Sequence, residues 1–255
     1  GAEAIWVPLR PPDFGFDPAE LEQAFAQGAK AIVVCNPGNP TGKVFTRAEL
    51  VTILALAEKY DAFVITDEPY EHMVHAPHEH CYMHALPGAF ERTIVTNSLS
   101  KTYSITGWRI GYVQAAPEVI RGARKVHDFL TIGAAAPLQE AAVTALDFPD
   151  EYYDGVRAFY TRQRELFLDY LKRSGLRYTE PQGAYYVMTD ISPLGFKTDA
   201  EASDFFIKTI GVAGVAGSSF FREPEHRYLR FHFAKKDETL HAAGERLLKV
   251  RDHLR

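Results

Sequence analysis

Short apolar runs punctuate the first half of the chain and predict its strands. The runs are Ala31–Cys35, Ala62–Thr66, Thr93–Thr96 and Arg109–Val113. A continuous apolar run of this length is typical of a strand buried on both faces. Helical patterns lie between and after these runs, so we predict an α/β fold with a largely parallel central sheet and helices on both faces.

Two helix starts stand out between the apolar runs. Asp17 to Glu20 reads as an N-cap, a proline at the first helical position and a glutamate at the third. Thr46 to Glu49 forms a capping box, and the helix that follows is expected to turn Leu50, Val51, Leu54 and Ala57 inward. Near the N-terminus, the apolar run Ile5–Leu9 is interpreted as a further strand.

The pattern changes after Pro137. Helices are predicted at Leu138–Leu146 and Glu151–Ser174, followed by a smaller α+β unit with strands Ala184–Thr189 and Tyr228–Phe233 and helices near 199–210 and 238–254. We therefore predict a large domain over 1–147, a connecting long helix over 148–174 and a C-terminal small domain over 175–255.

Composition excludes some function classes. The chain of 255 residues has a net charge of -5 and no long basic run, so nucleic-acid binding has little electrostatic support. No apolar run approaches the roughly 20 residues that span a bilayer, so no membrane association is expected. The N-terminus lacks the pattern of a signal peptide, and Cys35 and Cys81 fit a reducing compartment, which favours the cytoplasm.

Unusual polar residues follow three of the predicted strands. The segments are Asn36–Gly42 (NPGNPTG), Thr66–Tyr70 (TDEPY) and Asn97–Lys101 (NSLSK), the last followed by Gly107-Trp108-Arg109. In open α/β sheets, ligands gather beyond the carboxyl ends of the strands. Each segment alone has an ordinary interpretation as a turn, a cap or a solvated loop. Their order and combination make a shared site the better hypothesis.

The residue types match the needs of pyridoxal 5'-phosphate (PLP). Lys101 supplies an amine for a Schiff base with the cofactor aldehyde. Asp67 supplies a carboxylate that favours a protonated pyridine nitrogen. The remaining needs are donors to the ring oxygen and groups that bind phosphate. The candidates are Asn39 and Tyr70 for the oxygen, and Ser98, Ser100 and Arg109 for the phosphate.

Together these motifs resemble the class I/II aminotransferases of PLP fold type I. The resemblance covers essentially the whole sequence and implies the same roles: Lys101, Asp67 and Tyr70 at the chemistry, with the cofactor also held by Asn39, Ser98, Ser100 and Arg109. It further implies that Arg230, in Tyr228–Ala234, binds the substrate carboxylate, with Asn39 beside it. The kynurenine/glutamine/methionine branch is the most similar, through Ile65–Tyr70, Thr106–Trp108 and Thr189–Ile191.

The resemblance implies an aminotransferase that moves an amino group from an L-amino acid to a 2-oxo acid, acting as a homodimer. It also implies that the family's N-terminal third has no counterpart here, so we expect the isolated chain to bind PLP weakly or not at all. Two alternatives stay open. One is a carbon–sulfur β-lyase on the same fold, and the other is a catalytically incompetent fragment or non-enzymatic module.

Two weaker signals are interpreted as structural. Histidines crowd around Cys81, but their spacing follows no common zinc pattern, so a surface loop without a metal is preferred over a zinc site. The glycine-rich Gly214–Ser219 is expected to be a turn rather than a phosphate loop. The histidines concerned are His72, His75, His78, His80 and His84.

Overall fold

A computed structural model describes residues 1–223 and 225–255. The chain divides into two compact units. Unit 1 comprises Gly1–Leu9, Gly15–Pro37 and Val44–Val156, and unit 2 comprises Arg10–Phe14, Gly38–Lys43 and Arg157–Arg255. The division at Val156 falls inside a long helix, and the three-domain boundaries given above stay a prediction.

Unit 1 is built on a four-stranded sheet. Its strands are β1 (Ala31–Cys35), β2 (Phe63–Asp67), β3 (Thr93–Ser98) and β4 (Gly111–Gln114), in the spatial order β1-β2-β3-β4. The first three strands are parallel, and β4 runs antiparallel to β3. The predicted α/β fold with a mostly parallel sheet is therefore confirmed.

The first two helices of unit 1 start where local chemistry predicts. Asp17 accepts a hydrogen bond from the N–H of Ala19 at the first helix, and Thr46 and Glu49 form the full capping box at the second. The helices are α1 (Pro18–Ala26), α2 (Arg47–Lys59), α3 (Leu99–Thr102), α4 (Pro117–Leu130), α5 (Ala136–Leu146) and α6 (Asp150–Ser174), of which the residues up to 156 belong to unit 1.

Two expectations about burial and one about secondary structure were wrong. The strand β1, which lies at the edge of the four-stranded sheet, is not buried on both faces, since Val33 is 70% exposed. In α2, Val51 faces solvent and Ile53 takes the inward position. Ile5–Leu9 forms no strand, since a strand needs a hydrogen-bonded neighbour and no described strand lies beside it.

The core of unit 1 lies between the sheet and its first two helices. Leu21 and Phe25 from α1 pack with Leu50 and Ile53 from α2 against buried residues of β1 and β2. Burial of side chains of this size stabilises a fold by about 1.5–3 kcal/mol each. This core fixes β2, and β2 carries Asp67.

Unit 2 contains an antiparallel sheet covered by helices. Its strands are β5 (Arg177–Tyr178), β6 (Tyr186–Asp190), β7 (Val215–Ala216) and β8 (Tyr228–His232), in the order β5-β6-β8-β7. Its helices are the remainder of α6, α7 (Asp199–Phe205) and α8 (Asp237–Leu247). The two-residue strands β5 and β7 had no counterpart in the sequence pattern, because two residues are too few to show a periodicity.

Buried aromatic and aliphatic side chains hold unit 2 together. They come from α6, the helical turn that follows α7, both long strands and α8, and include Phe167, Leu171, Phe206, Phe231 and Leu247. Gly214–Ser219 lies in β7 and the single helical turn that follows it. Within the described part of the chain, no helix combines the length and the apolar character that crossing a membrane requires.

Candidate active site

Asp67 lies at the carboxyl end of β2, at the same edge of the sheet as the end of β3. It is the last residue of β2 and pairs in register with Thr96. The next polar residues along β3 are Asn97 and Ser98, where the strand ends. Parallel pairing of the two strands therefore places the predicted Asp67 and Ser98 segments at one edge, as the sequence indicated.

The half-buried Asp67 carboxylate has a raised pKa. Burial is the main cause, and the neighbouring charge of Glu68 adds to it, while a hydrogen bond from the Thr96 side chain acts against both. Among the described residues, no cationic side chain forms an ion pair with Asp67. A partly desolvated carboxylate without a cation is costly to maintain, and such groups are frequent in binding sites.

Lys101 lies in α3, a single helical turn that follows β3 directly. Ser98 caps this turn, because its Oγ accepts a hydrogen bond from the N–H of Ser100 at 3.2 Å. Lys101 is partly buried, and among the described residues its ammonium group has neither a hydrogen bond nor an ion pair. The turn thus presents an amine that is available for chemistry.

Arg109 occupies an unusual backbone position. Its φ angle is 57°, in the left-handed region, which costs a non-glycine residue energy and is often found at functional sites. The side chain is exposed, and it donates a hydrogen bond to the carbonyl of Thr106 at 3.0 Å.

Ser100 is buried, whereas Ser98 is half-buried and its hydroxyl donates to the carbonyl of Ile110 at 3.5 Å.

Tyr70 is the remaining predicted residue in unit 1. It is buried, and its carbonyl accepts a hydrogen bond from the N–H of Met73 at 2.8 Å. Unit 1 therefore holds six of the eight predicted site residues on the segments that follow β2 and β3. They are Asp67, Tyr70, Ser98, Ser100, Lys101 and Arg109.

Asn39 and Arg230 belong to unit 2 and are in direct contact. The guanidinium Nη1 of Arg230 donates to the side-chain oxygen of Asn39 at 2.7 Å. The same guanidinium lies 4.4 Å from the ring centres of both Tyr186 and Phe220. Two aromatic rings and one amide therefore restrict the position of the guanidinium, a group that can recognise a carboxylate through two hydrogen bonds.

The loop that carries Asn39 is fastened to unit 2 through Gly42. The carbonyl of Gly42 accepts hydrogen bonds from the N–H groups of Gln182 and Gly183 at 2.9 and 2.8 Å. Gly42 has a φ of +71°, and a Cβ there would lie 2.7 Å from the Cβ of Pro181. Only glycine meets both conditions, so this residue is what allows the loop to bring Asn39 to Arg230.

Two groups that support the Lys101 turn were not identified from the sequence. Asn97 donates to the carboxylate of Glu71 at 2.5 Å and accepts from the N–H of Ser98 at 2.7 Å. Tyr152 donates to the carbonyl of Thr102 at 2.9 Å. A polar Asn97 at the end of an apolar strand was a signal for the first, but Tyr152 lies far along the chain in a long helix and carries no local signal.

The histidine-rich segment does not assemble as one ligand set. Among the described residues, the group with three metal-type ligand atoms within 4.8 Å of one another is Glu68, Glu71 and His80. Protein groups already occupy these atoms: Nε2 of His80 lies 3.0 Å from Glu68, and Glu71 accepts from Asn97. These hydrogen bonds account for the proximity of the ligand atoms without a metal, although Nδ1 of His80 is buried without a partner.

Comparison with known proteins identifies the family. Residues 1–247 match the sequence model of the family described as aminotransferase class I and II. This chain belongs to the class I and II aminotransferases. Methionine aminotransferase from Escherichia coli (strain K12) is 32% identical over 243 residues, covering 95% of this chain and 63% of the relative. Kynurenine--oxoglutarate transaminase 3 from Mus musculus is 34% identical over 275 residues, covering 96% of this chain and 60% of the relative.

Solved aminotransferase structures have the same fold. YbdL from Escherichia coli, a protein with methionine aminotransferase function, superimposes with a TM-score of 0.90 at 32% identity, over 94% of this chain and 63% of that one. Aspartate aminotransferase from Thermus thermophilus gives 0.83 at 33% identity, over 92% and 60%. The chain therefore spans less than two thirds of the length of these relatives.

Proposed function

We propose that the protein carrying this chain is a PLP-dependent aminotransferase that moves an amino group from an L-amino acid to a 2-oxo acid. The observation that carries the proposal is the placement of Asp67 at the end of β2 and of Lys101 in the turn that follows the neighbouring parallel strand β3. The carboxylate has no cationic partner and the amine has no bonded partner among the described residues. Family membership supports the reaction class.

The residues of unit 1 fit the cofactor. When bound, PLP supplies an electron sink that stabilises negative charge on the substrate α-carbon. A protonated pyridine nitrogen would give Asp67 the cation that it lacks, and would lower its raised pKa in return. The Lys101 amine would hold the cofactor and carry the α-proton. The hydroxyls of Ser98 and Ser100 and the guanidinium of Arg109 would bind the phosphate.

The substrate groups fall to the remaining residues. We assign the substrate carboxylate to Arg230, whose guanidinium lies 4.4 Å from the ring centres of Tyr186 and Phe220. Asn39 and Tyr70 are assigned to the cofactor ring oxygen, as the family resemblance implies. The names of two relatives, methionine aminotransferase and kynurenine--oxoglutarate transaminase 3, support a large sulfur-containing or aromatic amino donor for this protein. Glutamine is a further candidate, because the family branch that the sequence resembles includes glutamine aminotransferases.

Trapping of the cofactor on lysine tests the binding step. The protein that carries this chain is purified, incubated with PLP and reduced with borohydride, and the modified lysine is located by peptide mass mapping. We expect the label on Lys101, its loss in Lys101→Ala and its retention in Lys125→Ala, which removes an exposed lysine of α4. A label spread evenly over surface lysines, with none preferred, would contradict the proposal.

Product analysis tests the reaction. With an amino donor and a 2-oxo acid acceptor, transamination converts one into the 2-oxo acid of the donor and the other into an amino acid. Release of ammonia and pyruvate instead would indicate the β-lyase. Arg230→Lys keeps the charge but loses the planar fork, so we expect KM for the donor to rise about tenfold or more. Arg173→Lys, on the exposed surface of α6, is the matched control.

Assembly and location are part of the same proposal. The helix α4 has no buried residue. Phe129 within it and Ile132 just after it are 93% and 84% exposed, which supports an apolar contact surface for a second copy. We propose a cytoplasmic homodimer, consistent with two cysteines that form no disulfide. Sedimentation at several concentrations should give twice the chain mass, and a monomer throughout would contradict it.

A further inference from the structure

We infer that Glu71 is a positioning residue for the Lys101 turn, acting through Asn97. This inference rests on the proposed function, since it concerns the same lysine. Glu71 itself is assigned no contact with cofactor or substrate. Its effect would be to hold the start of α3 in one conformation, so that Lys101 and the hydroxyl of Ser98 are presented together.

The turn that carries Lys101 cannot stabilise itself. The helix α3 covers only Leu99–Thr102. Fixing the first turn of a helix orders several residues in exchange for a single hydrogen bond, so a helix of this length is unstable alone. Its conformation must come from contacts with side chains at its two ends.

Asn97 provides the contact at the start of the turn. Its side-chain oxygen accepts from the N–H of Ser98 at 2.7 Å, while its side-chain nitrogen donates to Oε1 of Glu71 at 2.5 Å. The amide is thereby used at both ends, and its orientation is determined by a carboxylate that can only accept. Ser98 in turn caps the N–H of Ser100, so the bonds run without a break from Glu71 to the helix that bears Lys101.

Glu71 is well placed to exert this control. Its side chain is only 14% exposed, so its bond to Asn97 lies in a region of low dielectric, where a charge-assisted bond is strong. Burial raises the pKa of both Tyr82 and Tyr112, and the negative charge of Glu71 adds to both shifts. The phenol groups of Tyr82 and Tyr112 therefore stay protonated, so neither offers a phenolate to Asn97 in place of the Glu71 carboxylate.

Hydrogen exchange on the protein without cofactor tests the inference directly. Glu71→Gln keeps the shape of the side chain and removes the charge. We expect the N–H groups of Ser98 and Ser100 to exchange about tenfold faster in E71Q, with β2 unchanged. The control is Glu79→Gln, the same change at an exposed position of the following segment, and it should leave both regions unchanged.

Asn97→Ser supplies a second route to the same result, because it keeps Glu71 and removes the amide that links it to the turn. If Glu71 acts through Asn97, E71Q and N97S together should accelerate exchange no more than N97S alone. Additive effects would show that Glu71 acts by another route and would overturn the inference. Unchanged exchange at Ser98 and Ser100 in both single variants would overturn it as well.

Cofactor trapping separates this inference from the proposed function. Failure of the wild-type protein that carries this chain to label Lys101 would count against the function. Normal labelling in wild type with about tenfold slower labelling at equal PLP in E71Q supports the positioning role, and E79Q should match wild type. Equal labelling rates in wild type and E71Q, with Ser98 exchange unchanged, would reject the role of Glu71 and leave the function standing.

Discussion

The strand β4 lies against β3 at a distance that only glycine permits, and Gly111→Ala is the perturbation that tests it. Gly111 pairs in register with Ser98. A Cβ at position 111 would lie 2.4 Å from the carbonyl oxygen of Asn97 and 3.5 Å from the Cα of Ser98. Because the contacted atoms are backbone, no side-chain rotation relieves the clash, and the two strands must separate.

The magnitude follows from two opposing effects. Overpacking of a close contact costs about 1–3 kcal/mol. Replacing glycine reduces the entropy of the unfolded chain and returns about 0.4–1 kcal/mol. We therefore expect the free energy of unfolding of G111A to fall by about 1–2 kcal/mol. Since the displaced atoms belong to Asn97 and Ser98, the damage lies at the start of the Lys101 turn.

Urea unfolding followed by circular dichroism measures the stability, and borohydride trapping of PLP on Lys101 measures the local effect. The midpoint should fall at unchanged slope, and trapping should slow. Gly122→Ala is the matched control, because a Cβ there meets nothing within 4 Å and an alanine inside α4 is expected to stabilise by up to about 1 kcal/mol. Stability and trapping at wild-type values in G111A would refute the argument.

Three further predictions concern stability. Gly244→Ala should lower the free energy of unfolding by about 1–3 kcal/mol, because the added Cβ would lie 2.2 Å from the Tyr170 ring. The control is Gly155→Ala, where a Cβ meets nothing within 4 Å and the free energy of unfolding should rise by up to about 1 kcal/mol. Urea unfolding compares the two variants. Burial alone would raise the pKa of Asp199, but hydrogen bonds from its partners lower it overall, so its stabilising contribution is present above about pH 4 and is lost as the pH falls further. In unfolding experiments, the stability advantage of wild type over Asp199→Asn should therefore vanish at low pH. A stability difference that stays constant with pH would contradict this. Burial raises the pKa of Asp67, so the contribution of this residue to folding stability is most favourable below about pH 4 and is lost as the pH rises. Asp67→Asn should therefore stabilise the cofactor-free chain at about pH 7 but not at about pH 3. A loss of stability in this variant at about pH 7 would contradict the view that the Asp67 carboxylate has no cationic partner.

Local chemistry in the sequence accounts for much of the fold. The capping box at Thr46 and the N-cap at Asp17 depend on residues within one turn of each other, and both form as predicted. The segments after the parallel strands were placed at one edge by the pairing of β2 with β3. These features are readable because the interacting groups are close in sequence or are constrained by strand direction.

What the sequence by itself determined is therefore the α/β class, the helix starts and the candidate residues at the strand ends. The tertiary structure alone decided that β1 is an edge strand, that Asn39 meets Arg230, and that Glu71 bonds to Asn97 and Tyr152 to Thr102 at the two ends of the Lys101 turn. The physical reason is separation along the chain. A contact between distant residues depends on which strands pair and which helices pack, and a pattern of neighbouring residues contains no record of either.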